Sequence, residues 1–392
     1  MNNRGPQLLV TLVFSAILLS AGCIQFGLEL ASGEKPRMLE LFRRAPSAVH
    51  LRAYEDALEA ESWLANRLRP WMQLALFAVL DDPGPKTVRG RNDWFFYRPG
   101  VEYLTQRPPT DADRDDPVAA ICHYRDQLAA RGIRLIVMPT PNKESVYPER
   151  LTGRASARSL AVGSSTRSVM QRLRSAGVEV VDLFEIYGRA KLDAAGEPSL
   201  YLAQDSHWSP VGVELAARAV AQRLLELGWV DRGNTRYSTR SKPTARVGDL
   251  LRMLEVPGIT TRFGPETVTS RQVVDAATGE PYRDDPLAEI LVLGDSFLRI
   301  YERDEPGAAG FVAHLARELE QPLASIVNDG GASTLVRQEL HRRPSLLTNK
   351  QVVIWEFVER DIRLGLEGWQ RVPLPTAVSS AMEGPPGPAS SN

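Results

Sequence analysis

Between residues 113 and 370, short apolar runs alternate with helical patterns, and that alternation limits the chain to few architectures. Strands are read at Arg134 to Met138, Val178 to Leu183, Ile290 to Leu293, Leu323 to Val327 and Gln351 to Trp355. Helices are read near Pro117 to Arg131, Ser165 to Ser175, Val211 to Leu227, Gly310 to Leu319 and Thr334 to Arg342. Strands separated by helices are joined by crossovers. The pattern therefore predicts an α/β fold, a mostly parallel sheet covered by helices on both faces. Ligands of such folds gather beyond the carboxyl ends of the strands.

The flanking segments read differently. Arg4 precedes an uncharged stretch from Gly5 to Leu28, longer than the ~20 apolar residues that cross a bilayer. Residues 1–28 are expected to be a signal or membrane anchor: retained, cleaved, or cleaved with lipid attached at Cys23. Each alternative exports the rest of the chain. Residues 29–112 are read as an N-terminal extension. Its helical pattern runs from Ala48 to Val79 with an interruption at Pro70, and a short hairpin from Val88 to Tyr97 turns at Asn92-Asp93. Residues 236–286 are polar and rich in turn formers, and are read as an insertion with a hairpin. The tail, residues 371–392, carries Pro-Pro-Gly-Pro and Ser-Ser-Asn and is expected to be disordered.

Composition excludes several classes. With 47 basic and 48 acidic residues and no basic block, nucleic acid is not an expected partner. Two cysteines, Cys23 and Cys122, give no disulfide framework and no cysteine-rich metal site. The five histidines, at 50, 123, 207, 314 and 341, form no H-x-x-x-H pair, so zinc hydrolysis is not expected; no metal and no cofactor is expected.

The chemistry-bearing residues lie in two places. Ser296 follows the strand Ile290 to Leu293 directly, after Gly294-Asp295. A serine hydroxyl is a weak nucleophile and needs a base in hydrogen-bond reach and a third group to orient that base. His207 is the candidate base and Asp205, two residues before it, the candidate orienting acid. Ser209-Pro210 reads as the cap and first turn of the following helix, which makes the loop rigid. Asp182 reads as a loop cap. A tetrahedral intermediate needs oxyanion donors. The candidates are the N–H of Ser296 itself and those of Gly330 and Gly331, which follow another strand.

Gly294-Asp295-Ser296-Phe297 after a strand resembles the first block of the SGNH (GDSL-type) hydrolase superfamily. The order of the remaining parts is that family's cycle cut elsewhere. The proline-ended strand Leu135 to Pro141 comes first, Asp205 and His207 second, Ser296 third, Gly330-Gly331 fourth and the strand to Trp355 last. This circular permutation, with Asp205-Ser206-His207-Trp208, is similar to the alginate O-acetyltransferase family, the periplasmic alginate acetylation proteins of the J and X type. Gly90 to Tyr97, Pro141 to Glu149, and Trp355-Glu356-Phe357 with Arg360 match further family runs. Asp93 stands where the family has glycine, and Trp355-Glu356-Phe357 occupies the position of the block-three asparagine. The absence of a carbohydrate-binding module after the last motif favours the J type.

The resemblance implies an SGNH-like three-layer sandwich over residues 113–370, with Ser296, His207 and Asp205 as a triad. It implies acetyl transfer to an extracytoplasmic polysaccharide, and a membrane-bound O-acyltransferase at the inner membrane as acetyl donor. Lys143, Arg360 and Trp355 are the expected substrate-binding residues. A carbohydrate esterase with the same triad, and a non-catalytic polysaccharide-binding subunit, are the alternatives.

Overall fold

The computed structural model describes residues 4–375 apart from 34, 44, 46, 107–115, 159, 194–198 and 366. The chain forms two compact units. One is Met1–Gly84 with Leu254–Ile259, and the other is Pro85–Met253 with Thr260–Asn392.

The first unit is helical. Its helices are Arg4–Ala31, Ala48–Glu61 and Trp63–Leu80. The pattern from Ala48 to Val79 breaks at Ser62, not at Pro70. Ser62 is extended, and its hydroxyl accepts from the Ala65 N–H, so it caps the second segment. Pro70 sits inside that segment. Among the described residues no helix is long and apolar enough to cross a membrane. Leu8, Leu9, Ile17 and Leu18, on which the expectation of a spanning segment leans, have side chains outside the described set.

The second unit carries the strands β1 (Thr87–Arg89), β2 (Phe95–Tyr97), β3 (Arg134–Thr140), β4 (Glu179–Val180), β5 (Tyr237–Arg246), β6 (Glu266–Asp275), β7 (Ile290–Gly294), β8 (Ala324–Val327) and β9 (Val352–Val358). Five of them form one sheet, parallel throughout, in the order β4-β3-β9-β7-β8. Successive side chains of a strand point to opposite faces, and the core divides accordingly. Leu135, Val137, Leu291, Leu293, Val353 and Trp355 pack with Ile121, Tyr124, Leu128 and Leu173. Ile136, Met138, Val292 and Ile354 pack with Val213, Ala217, Val220, Val312 and Leu315. This is the expected three-layer sandwich.

Two boundaries differ from the sequence reading. The β1–β2 hairpin belongs to the second unit, so the extension ends near Gly84 and not at 112. Phe95 and Phe96 are fully buried, and that burial ties the hairpin to the sheet unit. Asn92 and Asp93 both take the left-handed conformation, at φ 56° and 58°. Arg89 Nη2 bonds Asp93 Oδ1 at 3.0 Å, which helps an aspartate replace glycine there. Second, the segment expected to be a tail from 371 stays packed as far as Leu374. The Leu374 N–H donates to Gln127 Oε1 at 2.8 Å, and Val372 and Leu374 are buried. Residues 376–392 lie outside the described set. Residues 236–286, read as an insertion with a hairpin, contain a long antiparallel one, β5 on β6, paired from Tyr237↔Asp275 to Arg246↔Glu266.

Trp355 is a core residue and not a substrate platform. It is fully buried in β9, its indole N–H donates to the Ala332 carbonyl at 2.9 Å, and its ring meets Tyr124, Phe357 and Trp369. Trp355→Ala should cost about 3–5 kcal/mol of stability, read as a lower urea midpoint for the sheet unit.

Candidate active site

The site is assembled at the carboxyl end of β7. The chain leaves the strand at Gly294, where there is no room for a side chain. A Cβ would lie 2.6 Å from Glu356 Oε2 and 2.5 Å from Leu298. Asp295 then turns the chain: its side chain accepts from the Phe297 N–H at 2.9 Å and starts the short helix Ser296–Arg299. The Asp295 N–H donates to Glu356 Oε2 at 3.1 Å. Burial, and then the neighbouring Asp295 charge, push the Glu356 carboxyl well above its ordinary range. Ser296 is left half-exposed at the start of the helix.

The second half comes from the loop before the helix Pro210–Glu226. Ser209 caps that helix, accepting from the Gly212 N–H at 3.3 Å, with Pro210 in its first turn. His207 Nδ1 donates to Asp205 Oδ1 at 2.6 Å, which leaves Nε2 to accept from Ser296 Oγ at 2.9 Å. Asp205 is fully buried. Burial alone would raise its carboxyl, but the pull of His207 and Arg246 holds it well below the usual range. Burial would likewise lower His207, but Asp205 and then Asp249 outweigh it and raise the imidazole above its ordinary 6.5.

Lys143 is not available to a substrate. It is 2% exposed, and its ammonium donates to the carbonyls of Phe95, Ala203 and Asp205 at 2.6, 2.8 and 3.0 Å. Burial brings its pKa down to about 8. Lys143 pins the Asp205 loop from behind. Gly330 and Gly331 also depart from expectation. Their N–H groups donate to Asn328 Oδ1 at 2.9 Å and to the Asn328 carbonyl at 3.1 Å, so the turn consumes both. The Ser296 N–H donates to no acceptor among the described residues. Arg360 is half-exposed, stacks over the Tyr97 ring at 5.0 Å, and offsets part of the burial that lifts Asp295. Asp182 caps a helix, accepting from the Glu185 N–H at 3.2 Å.

Two neighbours of Asp205 escaped the sequence reading, Arg246 and Asp249. Arg246 Nε donates to Asp205 Oδ2 at 2.9 Å, and the Asp249 N–H reaches the same oxygen at 3.2 Å. Asp249 accepts from the Ser206 N–H and hydroxyl at 2.7 and 2.5 Å. They lie in the stretch read as a weakly patterned insertion, where no motif marks them. Asp205, His207 and Asp249 form the one carboxylate–histidine group among the described residues compact enough to hold a metal ion. Every carboxylate oxygen in it already accepts a hydrogen bond, and Arg246 adds a positive charge, so the donor set does not suit a cation.

The family described as "SGNH hydrolase-like domain, acetyltransferase AlgX" matches residues 87–359. The chain is 27% identical over 298 residues to the probable alginate O-acetylase AlgJ of Pseudomonas putida, covering 72% of each. It is 24% identical over 308 residues to the Pseudomonas aeruginosa AlgJ, covering 73% of this chain and 74% of the relative. The solved O-acetyltransferase domain of Pseudomonas putida AlgJ superposes with a TM-score of 0.57 at 22% identity, covering 72% of this chain and 93% of that one. Pseudomonas aeruginosa AlgX superposes with a TM-score of 0.50 at 20% identity, covering 69% and 62%. Both superpositions show the shared fold.

Gly248 sits between Arg246 and Asp249, and a Cβ there would run into the Gln204 carbonyl. Gly248→Ala should push this segment off Asp205 and lower acetyl-ester turnover by up to about 100-fold, with circular dichroism unchanged.

Proposed function

The chain belongs to the SGNH hydrolase-like acetyltransferase family of the AlgX type, and on that premise we propose that it acetylates hydroxyls of alginate, or of a similar exopolysaccharide, through an acetyl-Ser296 intermediate. One observation carries the catalytic part. Ser296, His207 and Asp205 form a continuous hydrogen-bonded chain, at 2.9 and 2.6 Å, whose His207–Ser296 link joins residues 89 apart in sequence.

In the first half-reaction His207 Nε2 takes the proton of Ser296 Oγ as the oxygen attacks the donor's acetyl carbonyl. The Ser296 N–H is the candidate donor to the oxyanion. Collapse expels the donor's leaving group, which takes the proton back from Nε2. In the second half-reaction Nε2 takes a proton from a sugar hydroxyl as that oxygen attacks the acetyl-serine carbonyl. Ser296 Oγ then leaves with the proton, and the sugar ester departs. Asp205 stays ionised and holds the imidazole tautomer. Arg360, with no hydrogen-bond acceptor among the described residues, is a suitable cation for a uronate carboxylate near Ser296.

The acetyl donor in this reading is a membrane-bound O-acyltransferase, and the site works outside the cytoplasm, held at the inner membrane by the N-terminal helix. Support for the membrane placement comes from the uncharged run Gly5 to Leu28.

The test uses the full chain with p-nitrophenyl acetate, with and without alginate oligosaccharide, followed by intact mass. An acetyl adduct on Ser296 that moves to the oligosaccharide is expected, and Ser296→Ala should lose it without loss of stability. Full turnover in that variant would overturn the mechanism, and rapid hydrolysis without transfer would favour the esterase. Arg360→Ala should raise KM for the oligosaccharide and leave that for the neutral ester unchanged.

The pH profile is a further check. His207 acts as a base only when neutral, and its pKa is raised, so the neutral fraction grows as pH rises through a value above 6.5. The acidic limb of kcat/KM should therefore have its midpoint above 6.5; a midpoint below it would contradict the buried Asp205–His207 pair.

A further inference from the structure

We propose that Arg246 is a positioning residue, gripping the Asp205 carboxylate so that His207 stays aimed at Ser296. The inference rests on the triad reading given above and extends it to the inserted hairpin.

The last rung of the hairpin pairs Arg246 with Glu266. Both members of that rung hold the Asp205 loop. Glu266 accepts from the Ala203 and Gln204 N–H groups, each at 2.7 Å. Arg246 Nε donates to Asp205 Oδ2 at 2.9 Å. Beyond Gly248 the chain returns to the loop a third time, with Asp249 bonded to Asp205 Oδ2 and to Ser206. Backbone and side chain of residues 203–206 are thus held by one hairpin end.

Arg246 is itself fixed. Its Nη2 lies 3.3 Å from Asp304 Oδ2, and Asp304 is in turn bonded by Arg299 at 2.6 Å. The guanidinium stands over the Tyr301 ring at 5.9 Å. A guanidinium held between two carboxylates has little freedom, and with Nη2 on Asp304 its rigid plane fixes the Nε bond to Asp205 Oδ2 and so opposes rotation of that carboxylate. Rotation would remove Oδ1 from His207 Nδ1 and let the imidazole turn away from Ser296. Arg246 touches neither the serine nor the imidazole nitrogens in the hydrogen-bond chain, so its action passes through Asp205.

The charges around the imidazole come from several elements: Asp205 on its own loop, Asp249 after β5, Asp295 before the serine, and Arg246. Lys143, Glu266, Tyr301 and Asp304 stand around the same acid–guanidinium pair. Arg246 is the cation in this set that opposes protonation of His207. Its removal therefore leaves a signature that a purely structural residue would not leave.

The experiment compares Arg246→Met, Arg246→Lys and Ser296→Ala with the unaltered full chain. It measures kcat and KM for p-nitrophenyl acetate across pH, with urea unfolding alongside. Arg246→Met should lower kcat by up to about 100-fold with little change in KM, and should move the acidic limb to higher pH. Arg246→Lys keeps the charge without the fork. Its limb should stay in place and its kcat should fall between the two. An unchanged kcat and limb in Arg246→Met would overturn the inference, as would a loss that follows the unfolding midpoint with the limb fixed. Full turnover in Ser296→Ala would instead remove the triad reading itself, whatever the Arg246 variants do.

Discussion

A fully buried, ionised Asp205 is the constraint on which the site depends. An unpaired carboxylate in such a place costs several kcal/mol, and the protein offsets that with four donors. Oδ1 accepts from His207 Nδ1 and the His207 N–H, at 2.6 and 3.1 Å. Oδ2 accepts from Arg246 Nε and the Asp249 N–H, at 2.9 and 3.2 Å. Two donors belong to the acid's own loop and two to the hairpin end. Without the second pair the acid would be buried with one oxygen unsatisfied and free to turn away from the imidazole. The hairpin, remote in sequence from Ser296, is therefore part of what holds Asp205 against His207.

The remaining geometry sets the distance between base and nucleophile. Trp208 follows His207 directly and is fully buried. Its indole N–H donates to the Phe297 carbonyl at 3.1 Å, and its ring lies against Phe297 and Phe311. Phe297 follows Ser296 and also meets the imidazole at 4.8 Å. Each half of the site thus contributes the aromatic residue next to its reacting group, and the two aromatics lock together. A buried aromatic contact has few rotamers and little slack, so the His207–Ser296 spacing is inherited from packing. Lys143 completes the arrangement from the other side by collecting the Phe95, Ala203 and Asp205 carbonyls.

The sheet was legible because its strands are apolar runs with no competing pattern. Ile290 to Leu293 and Val352 to Trp355 sit in the centre, buried on both faces, and nothing but a strand fits them. The hydrogen-bonded chain Asp205–His207–Ser296 was legible because short motifs place Asp205 beside His207 and Ser296 at a strand end. What escaped depends on contacts between distant polar residues. The segment Tyr237 to Arg246 is Tyr-Ser-Thr-Arg-Ser-Lys-Pro-Thr-Ala-Arg, with no apolar alternation to show its face, and Arg246 resembles any surface arginine. Lys143 and Trp355 were misread for the opposite reason. Both lie in conspicuous motifs, and a motif residue can be there to hold the loop or fill the core. The Gly330-Gly331 turn was misread because Asn328 takes both N–H groups.

The exposure of the three residues constrains the chemistry further. Base and acid are buried while the nucleophile is half-exposed, so an acceptor approaches from the Ser296 side. In the proposed second half-reaction the acceptor presents its hydroxyl to the same Nε2 that would have accepted the serine proton. Water and a sugar hydroxyl then compete for one position, and the triad cannot tell them apart, because both offer the same O–H. Preference for sugar has to arise at the rim, from groups that bind the rest of the polymer and so convert remote contact into correct placement at Nε2. In the proposed mechanism Arg360, which stacks over Tyr97 and interacts with the Asp295 charge, is the cation offered for that role. A polyanionic acceptor gains from such a charge and water does not. Selection for transfer over hydrolysis therefore falls to the surroundings of a catalytic chain that either reaction could use.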